Sequence, residues 1–235
     1  MCATCGCSGT TAPHEHGHGH TRVITLELDV LAKNDQLAAS NRRFFAEHGI
    51  VALNLMSSPG AGKTTLLERT IRDVGGELAV SVVEGDQASG LDAERIRATG
   101  CAAVQINTGS GCHLDADMVA RGIRELGPPD GSVVMIENVG NLVCPALFDL
   151  GERAKVVIMS VTEGADKPLK YPQMFRAADL MLLTKVDLLP HVDFDAGRCT
   201  ALATHVNPGL DVLPVSATRG QGLAAWYAWL RTRRP

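Results

Sequence analysis

The stretch that decides the fold runs from Ile50 to Leu67 and reads IVALNLMSSPGAGKTTLL. It begins with a run of apolar residues, turns at a Gly-rich segment from Ser57 to Gly62, and continues into an amphipathic pattern. This order predicts a buried strand, a phosphate-binding loop and a helix. Successive backbone N–H groups of such a loop, together with the N-terminus of the helix, bind anions.

The loop predicts a nucleotide site in which each residue type has a defined role. We expect Lys63 to contact the β- and γ-phosphates and the Thr64 hydroxyl to coordinate Mg²⁺. The usual pattern, G-x-x-x-x-G-K-S/T, has Ser57 in place of its first glycine, so a Gly/Pro-rich loop without a ligand is the alternative. The residues expected to bind the nucleotide here are Ser58, Pro59, Gly60, Ala61, Gly62, Lys63, Thr64 and Thr65.

Composition excludes several classes of partner. The 235 residues carry 22 Lys plus Arg against 26 acids, a net charge of −4, and 4% aromatic residues, which argues against a nucleic-acid partner. No apolar run approaches the ~20 residues that cross a bilayer. The N-terminus lacks the basic-then-apolar order of a secretory signal. We therefore expect a cytoplasmic protein with no nucleic-acid and no membrane partner.

The first 21 residues, MCATCGCSGTTAPHEHGHGHT, show no apolar periodicity and predict a flexible tail. Cys-x-x-Cys-x-Cys can place three thiolates around one metal ion without a preformed fold. If the initiator Met is removed, the α-amine adds a fourth donor, and that set suits Ni(II). The alternatives are a redox thiol cluster and, for the histidines, a cloning artefact. The expected ligands are Cys2, Cys5, Cys7, His14, His16, His18 and His20.

Beyond the tail, strands and helices alternate. Residues 22–31 alternate in polarity and predict a short extended segment, whereas residues 34–48 predict a helix. Besides the first strand, strands are predicted at 78–83, 102–106, 132–137, 154–161, 179–183 and 211–215, the last at an edge because of Pro214. Further helices are predicted at 63–74, 92–99, 114–126 and 223–234. The order indicates an α/β fold, a mostly parallel sheet with helices on both faces, in one P-loop NTPase domain over residues 22–235.

Polar residues at the carboxyl ends of the predicted strands suggest catalytic roles. Asp86 can reach Mg²⁺ or a lytic water, with a solvated turn aspartate as the alternative. In Glu137-x-x-Gly140, the glycine N–H can sense the γ-phosphate and the acid can act near Mg²⁺. The predicted catalytic residues are therefore Lys63, Asp86, Glu137 and Gly140.

Two later segments predict guanine as the base. In Thr184-Lys185-Val186-Asp187, the carboxylate can accept from N1–H and the exocyclic amine of guanine, which adenine does not present together. The Lys185 stem would pack over the ring, and Ser216-Ala217 would offer backbone N–H to the guanine oxygen. A loop with an exposed charge pair is the alternative. In this order, after a phosphate loop, the motifs favour GTP.

The motifs taken together resemble the HypB family of hydrogenase nickel-incorporation GTPases. They are MCATCGC, the His-rich tail, SSPGAGKTT, VVEGDQ, TGSGCHLD, ENVGNLVCP, TKVD and VSAT, and they cover nearly the whole chain. The resemblance implies a SIMIBI-class GTPase that forms a homodimer, works with a HypA-type nickel chaperone and supplies Ni(II) to the [NiFe]-hydrogenase large subunit. Ser57 fits the family pattern, whereas Thr184 stands where many members have Asn.

The resemblance also implies two metal sites, one at Cys2, Cys5 and Cys7 and one at Cys112, His113 and Cys144. The residue types support the second site independently, because thiolate plus imidazole suits Zn²⁺ or Ni²⁺. Cys144 is tethered to the segment that senses the γ-phosphate, so hydrolysis would move it relative to Cys112. Ordinary buried thiols, as expected for the other cysteines of the domain, are the alternative.

The sequence therefore predicts a GTP-hydrolysing nickel metallochaperone, with metal affinity and dimerisation coupled to the nucleotide. No Gln follows Gly140, which predicts slow intrinsic hydrolysis. The competing interpretations are a urease-type nickel GTPase, a P-loop small-molecule kinase in which TKVD is accidental, and a metal-storage protein whose GTP site is structural.

Overall fold

The computed structural model describes residues 19–86, 90–109 and 111–233, with the backbone alone for residues 19–28. Its sheet consists of the strands β1 (Val51–Ser57), β2 (Val80–Asp86), β3 (Ala102–Asn107), β4 (Val133–Glu137), β5 (Ala154–Ser160), β6 (Leu180–Thr184) and β7 (Asp211–Pro214). These strands pair in parallel in the order β3-β2-β4-β1-β5-β6-β7. The predicted parallel α/β fold is confirmed, and β1, which leads into the phosphate loop, is the central strand.

Helices connect the strands and cover both faces of the sheet. They are α1 (Gly19–Glu47), α2 (Lys63–Val74), α3 (Leu91–Arg97), α4 (Ala116–Leu126), α5 (Cys144–Leu147), α6 (Lys167–Lys170), α7 (Pro172–Ala177), α8 (Ala196–Val206) and α9 (Leu223–Thr232), with a 3-10 helix at Val186–His191. Within the part of the chain that is described, no helix is long and apolar enough to cross a membrane.

The side chains of β1 alternate between two hydrophobic layers. Leu53 and Leu55 belong to the cluster that contains Trp226 of α9, whereas Ala52 and Met56 point to the opposite layer. Every residue of β1 is buried, because a central parallel strand is covered on both faces. This burial fixes the position at which the phosphate loop leaves the sheet.

The prediction for residues 22–31 was wrong, because they lie in α1 and are helical. Val23, Leu26 and Val30 also recur at helical spacing, so a short alternation does not distinguish the two structures. α1 begins at Gly19, and His20, which we assigned to the tail, is therefore helical. The helices from α5 to α8 were not predicted.

Candidate nucleotide and metal sites

The phosphate loop lies between the end of β1 and the start of α2, as the sequence predicts. Gly60 and Gly62 have φ values of 74° and 96°, a left-handed conformation that favours glycine. The Lys63 ammonium folds back over the loop and donates to the Ser57 hydroxyl at 2.9 Å. Ser57, which departs from the usual glycine, therefore holds the lysine in place.

Two side chains at the end of β6 and directly after it hold this loop in place. The Thr184 hydroxyl donates to the Ala61 carbonyl at 2.7 Å, and Lys185 Nζ donates to the Gly60 carbonyl at 2.8 Å. Lys185 has a φ of 59°, which is rare for a residue with a Cβ. The Thr184 hydroxyl therefore helps to hold the phosphate loop in place.

A second brace comes from the segment after β5. The Ser58 hydroxyl donates to Glu163 Oε2 at 2.6 Å, and Lys167 Nζ donates to the same hydroxyl at 2.7 Å. Lys167 also forms an ion pair with Glu163. Ser58 of the phosphate loop is therefore held by the ion pair of Glu163 and Lys167.

Two buried carboxyl groups face each other at the carboxyl ends of neighbouring strands. Glu84 of β2 is in register with Glu137 of β4, and each is only 3% exposed. The Thr64 hydroxyl donates to Glu137 Oε1 at 2.9 Å, while Oε2 of both glutamates lacks a hydrogen-bond partner among the described residues. Burial, with a smaller contribution from Glu137, raises the pKa of Glu84 to about 8.

Sequence reasoning missed Glu84, although a signal was present. It lies two residues before Asp86 on β2, so both side chains point to the same face. The unsatisfied carboxylate oxygens beside the Thr64 hydroxyl are the donor set that Mg²⁺ prefers. These residues therefore fit a bound magnesium ion.

The phosphate loop and the two glutamates line one cavity of about 510 Å³. All four predicted catalytic residues line it: Lys63, Asp86, Glu137 and Gly140. Arg95 of α3 lines it as well and is held by Glu68 at 3.0 Å. The cavity has the mixed charge that a magnesium-bound triphosphate requires.

The predicted guanine residues lie in two adjacent loops next to this cavity. The Val186 N–H donates to the Val215 carbonyl, which joins the two loops. Ser216 differs from expectation, because its N–H donates to the Gln221 carbonyl at 2.9 Å within its own turn. Ser216 thus already uses the backbone N–H that we predicted to be available to guanine, and Asp187 lies in the 3-10 helix that follows Lys185.

The structure brings Cys112, His113 and Cys144 together, and their ligand atoms all lie within 4.8 Å of one another. The two Sγ atoms are 2.9 Å apart, and His113 Nδ1 is 3.7 Å from Cys112 Sγ. The His113 ring stacks on Phe148 with 3.8 Å between ring centroids. Burial lowers the pKa of His113, which keeps the imidazole neutral and able to bind a metal.

One short segment connects the two sites. A Cβ on Gly140 would lie 3.1 Å from Pro59, so this segment lies directly against the phosphate loop. Asn141 Nδ2 donates to the Cys112 carbonyl at 3.3 Å, and Asn138 Oδ1 accepts from the Leu114 N–H at 3.0 Å. Residues 138–144 therefore contact both the phosphate loop and the group formed by Cys112, His113 and Cys144, which we call the metal cluster.

The cysteines outside the Cys112 and Cys144 pair fall into two groups, two in the core of the domain and three in the tail. Cys101 and Cys199 are buried, and burial raises the pKa of each thiol to about 11, as expected for unreactive core cysteines. The tail ligands Cys2, Cys5, Cys7, His14, His16 and His18 lie outside the described residues, and so does the side chain of His20. Metal binding by the tail stays a prediction.

Comparison with known proteins agrees with this arrangement. The model of the CobW/HypB/UreG nucleotide-binding domain matches residues 51–214. Hydrogenase maturation factor HypB of Rhizobium leguminosarum bv. viciae is 60% identical over 94% of this chain and 74% of its own length.

Two solved structures are also similar. HypB from Helicobacter pylori, in complex with nickel, is 37% identical with a TM-score of 0.80 and aligns over 86% of this chain and 94% of its own. The signal recognition particle 54 kDa protein from Aeropyrum pernix, at 13% identity and a TM-score of 0.53 over 79% of this chain and 49% of its own, is similar in fold alone. The chain therefore belongs to the CobW/HypB/UreG family and, within it, to the HypB hydrogenase maturation factors.

Proposed function

We propose that the protein is a GTP-hydrolysing nickel metallochaperone that helps insert Ni(II) into the large subunit of [NiFe]-hydrogenase. The observation that carries this proposal is the segment of residues 138–144, which contacts the phosphate loop through Gly140 and supplies Cys144 to the metal cluster. Similarity to a HypB that was solved with nickel supports the choice of metal. A nucleotide-driven shift of this segment changes the geometry of the metal ligands.

The nucleotide part of the proposal depends on the cavity beside the phosphate loop. Lys63 would exchange its contact with the Ser57 hydroxyl for the β- and γ-phosphates, and Thr64 and Asp86 would hold Mg²⁺. When bound, Mg²⁺ neutralises charge that develops on the phosphates. Glu137 orients the Thr64 hydroxyl, since it accepts the hydrogen bond from it.

Guanine selection is assigned to the two loops after β6 and β7. The Asp187 carboxylate accepts from the guanine edge, and the Ala217 N–H donates to its oxygen. Lys185 contributes its stem to the ring and its ammonium to the loop carbonyl of Gly60. A base without both donors leaves the carboxylate unpaired and binds more weakly.

Cys112, His113 and Cys144 bind Ni²⁺ as cargo, and Zn²⁺ competes for the same donors. Three ligands leave a coordination position for an incoming donor. We assign that donor to the second subunit of a homodimer, to a HypA-type nickel chaperone or to the hydrogenase large subunit as the ion moves between them. The cytoplasm, where thiols stay reduced, is the compartment that suits this chemistry.

The direct test is nickel transfer from the full chain to the metal-free hydrogenase large subunit. We expect faster transfer with GTP than with GDP, and loss of this difference in Cys112→Ala. Cys101→Ala is the control, because that thiol is buried and does not belong to the Cys112, His113 and Cys144 cluster. Transfer at one rate with GTP, with GDP and without nucleotide contradicts the proposal.

A further inference from the structure

Two buried asparagines of α1 form hydrogen bonds with the chain segments next to the metal cluster. Asn34 is 5% exposed and Asn41 is 8% exposed, and both are on the part of α1 whose side chains are described. Buried amide groups are costly unless their hydrogen bonds are satisfied, so their partners indicate what holds them there.

Each asparagine bridges the same two segments. Asn34 Nδ2 donates to the Asp149 carbonyl at 2.8 Å, while its Oδ1 accepts from the Ala116 N–H at 2.9 Å. Asn41 Nδ2 donates to the Ala116 carbonyl at 2.8 Å and to the Leu150 carbonyl at 3.0 Å. Both main-chain groups of Ala116 are therefore bound by α1.

These two segments are the ones that carry the metal ligands. Ala116 lies three residues after His113, and Asp149 directly follows Phe148, on which the His113 ring stacks. The second segment also approaches α1 very closely. A Cβ on Gly151 would lie 2.6 Å from the Ala38 carbonyl oxygen, so the chain fits against α1 only because this residue is glycine.

We propose that Asn34 and Asn41 are positioning residues of the metal site, because they hold the segment after Cys112-His113 and the segment after Cys144 in one arrangement. The inference rests on the metal-binding role proposed for this cluster. Among the described residues, neither asparagine side chain forms a hydrogen bond with Cys112, His113 or Cys144. They act through the backbone that sets the spacing between the two cysteines.

Asparagine suits this role because its amide both donates and accepts. Asn34→Ala removes the side chain that bonds to the Ala116 N–H and the Asp149 carbonyl. Asn41→Ala removes the side chain that donates to the carbonyls of Ala116 and Leu150. The two segments then gain freedom to separate. Loss of residues that orient metal ligands typically lowers metal affinity by about 10- to 100-fold.

The test measures Ni(II) affinity in the full chain, with Cys2, Cys5 and Cys7 changed to Ser so that the tail thiols do not contribute. Absorption of the nickel–thiolate bond reports Cys112 and Cys144 alone, and competition with a chelator gives the dissociation constant. We expect Asn34→Ala and Asn41→Ala each to weaken nickel binding by about tenfold. The affinity for GDP stays within about twofold of wild type, which a general loss of folding would not allow.

Ser40→Ala is the matched control, because Ser40 lies on the same helix and is exposed, and the described partners of its hydroxyl, Gln36 and Arg43, both belong to α1. Its nickel affinity is expected to match that of the unchanged chain. If both asparagine variants keep that affinity while they bind GDP normally, the positioning role is wrong. If the chain that keeps both asparagines does not bind nickel at Cys112 and Cys144, the proposed function is wrong instead.

A second measurement covers the case in which the alanine variants do not fold. In the unsubstituted chain, nickel binding at the cluster is expected to slow hydrogen exchange at the Ala116 N–H, which donates to Asn34. Exchange at this amide that does not change with nickel overturns the inference.

Discussion

At the scale of single residues, Glu84 and Glu137 set the electrostatics of the cavity beside the phosphate loop. Two buried carboxyl groups on adjacent strands repel each other when both are charged, and each has an oxygen that lacks a hydrogen bond among the described residues. A proton or a cation relieves this repulsion. The two glutamates therefore lower the stability of the protein without a bound cation, and they favour the binding of a cation.

The pKa of Glu84 predicts a pH-dependent stability. Burial raises it from an ordinary 4.5 to about 8, so between these values the unfolded chain has lost the proton that the folded chain keeps. The free energy of unfolding of the metal- and nucleotide-free protein therefore falls as the pH rises through this range. Glu84→Gln removes this effect and is expected to raise the melting temperature at pH 8 by at least about 2 °C, but not at pH 4.

Thermal unfolding followed by circular dichroism, with a chelator present, measures this difference. Glu125→Gln on α4 is the control, since that carboxylate is exposed. A melting temperature of Glu84→Gln that exceeds wild type equally at pH 4 and pH 8 would show that packing, and not the charge of Glu84, is responsible.

Thr184 gives a second prediction at this scale. Thr184→Val keeps the shape of the side chain but removes the hydroxyl that donates to the Ala61 carbonyl. Loss of a buried hydrogen bond costs about 1–3 kcal/mol. We expect weaker GTP binding by isothermal calorimetry in Thr184→Val and near-normal binding in Thr184→Ser, which retains the hydroxyl. Equal affinities in the two variants would contradict the bracing role.

Single residues were predicted from the sequence where a motif fixes both spacing and backbone. Lys63 and Thr64 begin α2 and Glu137 ends β4, as the predicted elements require, whereas their roles toward a nucleotide stay predictions. Glu84 and the hydrogen bond of Ser216 were missed, because they depend on register between strands and on a local turn that the motifs do not encode.

At the scale of elements, residues 138–144 contact both the phosphate loop and the Cys112, His113 and Cys144 cluster, and we propose that they couple the two sites. Gly140→Ala tests this, because the new Cβ would lie 3.1 Å from the backbone of Pro59 and push the segment away from the phosphate loop. We expect GTP hydrolysis to fall by about tenfold or more, since small displacements of catalytic groups cost that much.

The control is Gly76→Ala at the end of α2, where an added Cβ meets nothing within 4 Å. Hydrolysis is measured by single-turnover phosphate release. Gly140→Ala with the wild-type rate would mean that contact with Pro59 does not position the segment.

Element boundaries followed the sequence well where burial imposes a clear pattern. α2 has the predicted bounds because Gly62 and Gly75 flank an amphipathic run. β2 begins and ends two to three residues later than expected, since its polar end pairs with Glu137 and Asn107 across the sheet. α1 was misjudged in its first half, because the short alternation in residues 22–31 is also compatible with the spacing of a helix.

At the scale of the whole molecule, the parallel sheet places both sites on the side where its strands end. β1, β2 and β4 all end beside the nucleotide cavity, and the segment after β4 continues to Cys144. The metal cluster could be predicted only through the family resemblance and the residue types. Its compactness depends on packing between α1, the loop before α4 and the segment after α5, which no local sequence pattern specifies.

The measurement that tests the central claim most directly is the Ni(II) affinity of the full chain in two nucleotide states. The tail cysteines are changed to Ser, and nickel–thiolate absorption is titrated with Mg²⁺ and either GDP or a non-hydrolysable GTP analogue. We predict affinity weaker by at least about tenfold with GDP, or about 1.4 kcal/mol of coupling. Equal affinity in the two states would contradict the account, because a ligand that binds both states equally shifts neither.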